Sequence, residues 1–201
     1  NIKNIGFQVF KKIISPKEPE YLAKTRYKFF RTNLLWLNKH YEGDFRNYFE
    51  SNKNPRDFAL GLAKLKKFQD YAAMPSKIYF LKPNQLLYVE YLLAVKNIKN
   101  FSNELRDLTV FADYRLPQIF MHYDILVPSK KLSEKINKQI VIRCLSREEL
   151  EIRAATILTG ELIREKLKIF SSFEIDMALW NLTYKIPKIN IPHFRAKSIF
   201  Y

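Results

Sequence analysis

A mostly α-helical fold, arranged as one domain, is predicted for this chain by three observations. Only 4 Gly and 9 Pro occur among 201 residues, too few for the many tight turns of a β-rich fold. Apolar residues recur three and four positions apart over several long segments, which is the helical period. A hydrophobic fraction of 47% with 27% charged residues supports a packed core and argues against disorder. There is no internal repeat and no low-complexity linker.

Between Glu20 and Tyr41 the side chains of Tyr27, Phe30, Leu34, Leu37 and Tyr41 fall on one face of a long amphipathic helix. Gly43 is its natural stop. Asp44 to Ser51 reads as a short helix. Asn54-Pro55 starts another, because Asn caps well and Pro tolerates the first helical position; that helix is expected to run to about Tyr71. Ser76 to Leu81 is the best strand-like segment, short enough to be an extended connection. Lys82-Pro83 then opens an apolar helix to about Val95. Leu108 to Phe111 is apolar and leads into Asp113-Tyr114-Arg115, with a helix expected from Pro117 to His122. Ser146 and Glu149 have capping-box spacing before a helix to about Phe170, apolar on most sides and expected to be central and buried. Phe173 to Lys185 forms one more helix, and Pro187 and Pro192 keep the tail from continuing it.

The single cysteine, Cys144, allows no internal disulfide and no multi-cysteine zinc site, and its apolar surroundings predict a buried thiol in a reducing compartment. The longest apolar stretch, Leu86 to Val95, is interrupted by Glu90 and is far shorter than a membrane helix of about 20 residues. The first residues show no secretory pattern, so a cytoplasmic location is expected. Thirty-five Lys and Arg against twenty Asp and Glu leave a formal charge of +15, consistent with a solvated basic surface or with a site for a polyanion such as RNA or a nucleotide phosphate.

Charges embedded in apolar segments are costly unless paired, so they are the first candidates for chemistry. Asp113 follows the apolar run ending at Phe111 and Ala112; it either caps the next helix, pairs with Arg115, or serves a site. Lys82 stands between Ile78-Tyr79-Phe80-Leu81 and Leu86, as a snorkelling lysine or a functional one. Glu151 and Arg153 point in different directions on their helix and need separate partners, with an internal ion pair to other helices expected. Asp176 stabilises a helix N-terminus or faces a site; it shares a helix face with Trp180, whereas Asn181 lies about 140° around the helix. The histidines His40, His122 and His193 have no metal-ligand spacing, and neither a glycine-rich phosphate loop nor a nucleophile elbow is present.

Four segments carry a family resemblance: Phe111 to Gln118 (FADYRLPQ), Glu149 to Arg153 with Glu161 to Arg164 downstream, Asp176 to Trp180, and the ending from Pro192-His193-Phe194-Arg195 to Ile199-Phe200-Tyr201. In order and spacing they resemble the C-terminal part of the queuosine salvage family, the queuosine 5′-phosphate N-glycosylase/hydrolases. A looser likeness runs back through Phe80-Leu81-Lys82 and Gly43-Asp44-Phe45. The family's further N-terminal portion, with a histidine that contacts the base, has no counterpart in these residues.

The resemblance implies a helical fold related to DNA glycosylases and hydrolysis of the N-glycosidic bond of queuosine 5′-monophosphate, which releases queuine for reuse in tRNA. It implies that Asp113 is the catalytic carboxylate, as nucleophile or transition-state stabiliser, and that Lys82 assists it. Phe111 and Asp176 match base-pocket positions. Two further pocket positions depart from the family pattern, with Met177 in place of a Tyr and Asn181 in place of an Asp. The implied partner is a small nucleotide, with no cofactor, metal or membrane, and with nucleic acid not favoured. The alternative is a non-catalytic basic RNA- or tRNA-binding protein, or a partner-dependent remnant of the same fold.

Overall fold

The structure, a computed structural model of the chain, describes residues 5–14, 16–17, 19–74, 76–96, 105–198 and 200. The chain is mostly helical, as expected, and gathers into two compact units, residues 1–53 with 65–67 and residues 54–64 with 68–201.

In the first unit α1 (Phe7–Ile14) packs on α2 (Glu20–Tyr41) through aromatic rings, with Phe10 5.4 Å from Tyr27 and 5.1 Å from Phe30. Helix α2 ends where Glu42 and Gly43 both turn left-handed, at φ 56° and 78°, and both amides bond back to the Leu37 carbonyl. Glycine adopts that conformation at no steric cost, which is why the stop falls here. Asp44 then caps α3 (Phe45–Ser51) by accepting from the Arg46 amide. Trp36 and Tyr41 of α2 close on Tyr48 of α3 at 5.3 and 5.1 Å.

The second unit begins with α4 (Pro55–Leu62), capped by the Asn54 side chain as expected. The helix stops well short of Tyr71. Phe58, Ala59 and Leu62 complete its buried face, the lysine-rich residues after it fold into a 3-10 turn, and Asp70 is drawn to partners elsewhere in the unit. Strand β1 (Tyr71–Met74) pairs antiparallel with β2 (Ser76–Tyr79), so the strand-like segment is one arm of a hairpin. Helix α5 (Lys82–Lys96) follows and packs on α4.

Helix α6 (Arg115–His122) starts two residues before Pro117 because the Asp113 carboxylate accepts from the Arg115 and Leu116 amides. A helix without a counterpart in the sequence expectations, α7 (Lys130–Asn137), is capped by Ser129 and buries only Leu132 and Ile136. Strand β3 (Val141–Ile142) pairs in parallel with β4 (Arg195–Ala196) of the tail. Cys144, just past β3, is half-buried rather than buried, and its partial desolvation pushes the thiol pKa up.

Helix α8 (Arg147–Leu167) is amphipathic, not buried on all sides: Leu158 and Leu162 are 64% and 62% exposed. Its buried stripe is Glu149, Ile152, Arg153, Thr156 and Gly160, so the core contact is partly polar and the apolar residues outnumber the places that bury them. At its start Ser146 accepts from the Glu149 amide, but the Glu149 carboxylate reaches back to the Leu145 amide and not to that of Ser146. The full reciprocal box occurs instead at α9 (Ser172–Lys185), between Ser171 and Glu174. Helices α6, α8 and α9 pack together around Val110, Leu116, Ile119, Phe120 and Ile175. Among the described residues, no helix is long and apolar enough to cross a membrane.

Candidate active site

The second unit brings together four of the six candidate residues. Asp113 is buried, and its two oxygens are used differently. Oδ1 takes the amides of Arg115 at 2.7 Å and Leu116 at 3.3 Å, while Oδ2 faces Lys82 Nζ at 3.7 Å. The helix-cap reading and the site reading of this residue are therefore compatible. Lys82 is the first residue of α5, and its side chain is 15% exposed, mostly withdrawn from solvent.

Asp176 is the fifth residue of α9, just past its first turn, and is 3% exposed. Its Oδ1 accepts from the backbone amide of Phe111 at 2.7 Å, which ties α9 to the segment that carries Asp113. Burial pushes the Asp176 carboxyl up to about 7; the Phe111 amide opposes this, the Asp113 charge adds to it, and Lys82 offsets it. The three ionisable groups thus share one electrostatic neighbourhood. The Phe111 ring is buried beside Phe173, 6.1 Å between centroids.

Met177 and Asn181, one turn apart on α9, stand on its exposed face near Trp180 and Tyr184, whose rings are 4.8 Å apart. Arg115 lies over Tyr184 and Tyr114 at 5.9 and 5.6 Å. Met177 and Asn181 are therefore exposed, whereas Asp113, Lys82, Phe111 and Asp176 are withdrawn from solvent. A separate cleft of about 360 Å³ lies between Arg56, Tyr79, Asp107 and Thr109, and none of the six candidates is among the described residues that line it.

One feature of the surroundings, Gln85, had little signal in the sequence; for a second, Arg153, the sequence signals a pairing but not its partner. Gln85, buried on α5, donates to the Phe80 carbonyl and accepts from the Thr109 amide, so it stitches the approach to Lys82 to the approach to Asp113. Arg153, fully buried, finds its partner in Asp70: Nη1 and Nη2 each donate to the carboxylate at 2.7 Å. Glu151 is exposed and pairs with Arg147. The internal ion pair expected for Arg153 is present, but its partner is on the segment leading into β1 and not on another helix, and Glu151 makes no internal pair of that kind because its partner is four residues away on the exposed face of α8.

Gly160 sits mid-helix because Val110 packs against it. A Cβ there would lie 2.5 Å from one Val110 methyl and 2.6 Å from the other, and a β-branched side chain held by its own packing has little freedom to give way. Gly160→Ala is expected to lower stability by about 1–3 kcal/mol despite Ala's better helix propensity. A urea midpoint equal to or above that of the parent chain would contradict this.

The Asp176 carboxyl also predicts a pH dependence. In the unfolded chain it titrates near its model value of 3.8, and in the folded chain at about 7. Between those values the folded state holds more proton, so the stability penalty is absent at low pH, grows as pH rises through that window, and is complete above about 7. Asp176→Asn should therefore gain stability over the parent chain at about pH 8 and much less at about pH 4, read as the difference between paired urea titrations. A constant difference across that range would remove the assignment.

The family profile described as queuosine salvage protein matches residues 2–201. The chain belongs to that family. A queuosine 5′-phosphate N-glycosylase/hydrolase of Sphaerobacter thermophilus is 35% identical over 103 residues, 49% of this chain and 32% of the relative. Those of Dictyostelium discoideum and Schizosaccharomyces pombe are 31% and 27% identical, over 67% and 90% of this chain and 44% and 57% of theirs. The queuosine salvage chain thus aligns with well under two thirds of the length of each of these relatives.

Proposed function

We propose that this chain hydrolyses the N-glycosidic bond of queuosine 5′-phosphate and releases queuine, the activity in its relatives' names. The observation that carries the reading is the divided use of the Asp113 carboxylate, one oxygen fixed by two amides and the other facing Lys82, beside the buried Asp176.

As the C1′–N bond breaks, its electron pair leaves with the base and positive charge develops on the ribose. Asp113 Oδ2 stabilises that charge or bonds to C1′; water then adds its hydroxyl to C1′, displacing Asp113 where that bond has formed, and its remaining proton goes to the departing base, so that ribose phosphate and neutral queuine are released. Its position is set in advance, because Oδ1 is already occupied. Queuine is a 7-deazapurine, which lacks the ring nitrogen through which an ordinary purine is protonated, so the base must be activated through its other polar edges. Asp176, pushed up to about 7, suits this: ionised it accepts from guanine-like N–H groups, and protonated it donates to a carbonyl. Lys82 pairs with Asp113 or holds the 5′-phosphate, and Phe111 offers an apolar surface to the ring. The scheme uses no metal and suits a nucleotide salvage step in the cytoplasm.

The test is to incubate the purified chain with queuosine 5′-phosphate and with queuosine, and to follow free queuine by liquid chromatography and mass spectrometry beside Asp113→Asn. Release by the parent chain that disappears in the variant is the expected result. Folded parent chain that releases no queuine would remove the assignment.

A further inference from the structure

We infer that Asp70 and Arg153 are positioning residues that hold Lys82 and Asp113 at their working separation through the backbone; the inference rests on the function proposed above. Neither side chain is placed against the substrate. Each grips the main chain beside one of the reacting groups.

On the lysine side, the Asp70 carbonyl accepts from the amides of Phe80 and Leu81, both at 3.0 Å, and its carboxylate Oδ2 accepts from the amide of Lys82, also at 3.0 Å. Three consecutive amides converge on one residue. Between them Leu81 is left-handed at φ 52°, a conformation unfavourable for a side chain with a Cβ and sustained only where the surroundings impose it. The turn aims the start of α5, and with it the Lys82 side chain.

On the carboxylate side, Arg153 Nε donates at 3.0 Å to the carbonyl of Ala112, the residue before Asp113. The other two nitrogens of the same guanidinium hold Asp70. One rigid planar group therefore connects the main chain next to Asp113 to the residue that grips the main chain at Lys82. The guanidinium carbon also lies 4.0 Å from the centroid of the Phe80 ring, and Glu149 Oε1 stands 3.6 Å from Nη1. Arg153, Asp70 and Glu149 are all fully buried, so solvent does not loosen the connection.

Cohesion alone does not call for this arrangement, since a buried ion pair is often replaceable by apolar residues of similar volume without loss of stability. What apolar residues cannot do is bond to the Ala112 carbonyl and the Lys82 amide together. Reacting groups misplaced by about 1 Å lose on the order of a hundredfold in rate. The bridge holds the main chain immediately beside both groups, where that distance is set.

Arg153→Lys keeps the charge but cannot span both Asp70 oxygens and the Ala112 carbonyl, because an ammonium has no planar fork. For variant protein that unfolds cooperatively, kcat for queuine release is expected to fall about a hundredfold with KM within about threefold. In the same protein, acylation of the Lys82 amine by acetic anhydride, read by peptide mass spectrometry against exposed Lys188, should become about tenfold faster as Lys82 leaves its buried place beside Asp113. Unchanged labelling, a kcat within about twofold, or a loss confined to KM overturns the inference. If Arg153→Lys does not fold, the neutral pair Asp70→Asn with Arg153→Gln is read by the same two measurements. Parent chain that releases no queuine would defeat the proposed function alone, and the Lys82 labelling would still decide whether the bridge sets the position of that side chain.

Discussion

Asp113→Asn is expected to reduce queuine release about a thousandfold while leaving the fold intact. The amide oxygen of Asn can still accept from the Arg115 and Leu116 amides, the contacts that start α6, so the cap survives. On the proposed mechanism, what disappears is the negative charge opposite the developing ribose cation. In a site where Asp113 and Lys82 are both withdrawn from water, a fixed charge is worth far more than on the surface. Asp113→Ala removes charge and cap together, and should lose about 1 kcal/mol of stability in addition to activity. Measuring kcat and a urea midpoint for both variants separates the two effects. Asp113→Asn protein as active as the parent chain would show that this carboxylate is only a helix cap.

Arg153→Met should have the largest effect on stability, a loss of about 3–5 kcal/mol. The methionine fills much of the volume, yet it leaves two fully buried carboxylates, Asp70 and Glu149, without the guanidinium that faces them. Against a total stability of about 5–15 kcal/mol for a typical domain, that is a large fraction. The comparison variant is Arg147→Met, which breaks the exposed Arg147–Glu151 pair six positions earlier on the same helix and should leave the urea midpoint unchanged. Equal effects from the two would mean that burial does not decide the worth of these ion pairs.

Much of the secondary structure was legible from local chemistry. The long α2 followed from its three- and four-residue spacing, α3 from Asp44, the start of α4 from Asn54-Pro55, and α5 from Lys82-Pro83. In each case the deciding groups lie within one turn of the boundary they set. Where the reading failed, the cause was a distant partner or a competing local one. Helix α4 ends early because Asp70 belongs to Arg153, 83 residues away, and to the amides of 80 to 82. Helix α6 begins early because Asp113 outranks Pro117 as the starting signal. Helix α7 escaped notice because its apolar face is only Leu132 and Ile136 in a lysine-rich stretch, although Ser129 was a readable cap.

The candidate site divides the same way. Asp113, Lys82 and Asp176 stand out in the sequence because a charge inside an apolar segment needs a reason, and the family motifs single out the same residues. Their association is a different kind of fact. It depends on the Phe111 amide meeting Asp176 across 65 residues, on Val110 fitting over Gly160, and on one guanidinium joining Ala112 to Asp70. By itself the sequence determined the helical class, most helix starts and the identity of the ionisable candidates, because caps, periodicity and the cost of burying charge act residue by residue. Only the tertiary structure decided which charges face each other, which carboxyl is pushed up to about 7, and which oxygen of Asp113 is held, because these depend on distances and desolvation between segments that no local pattern encodes.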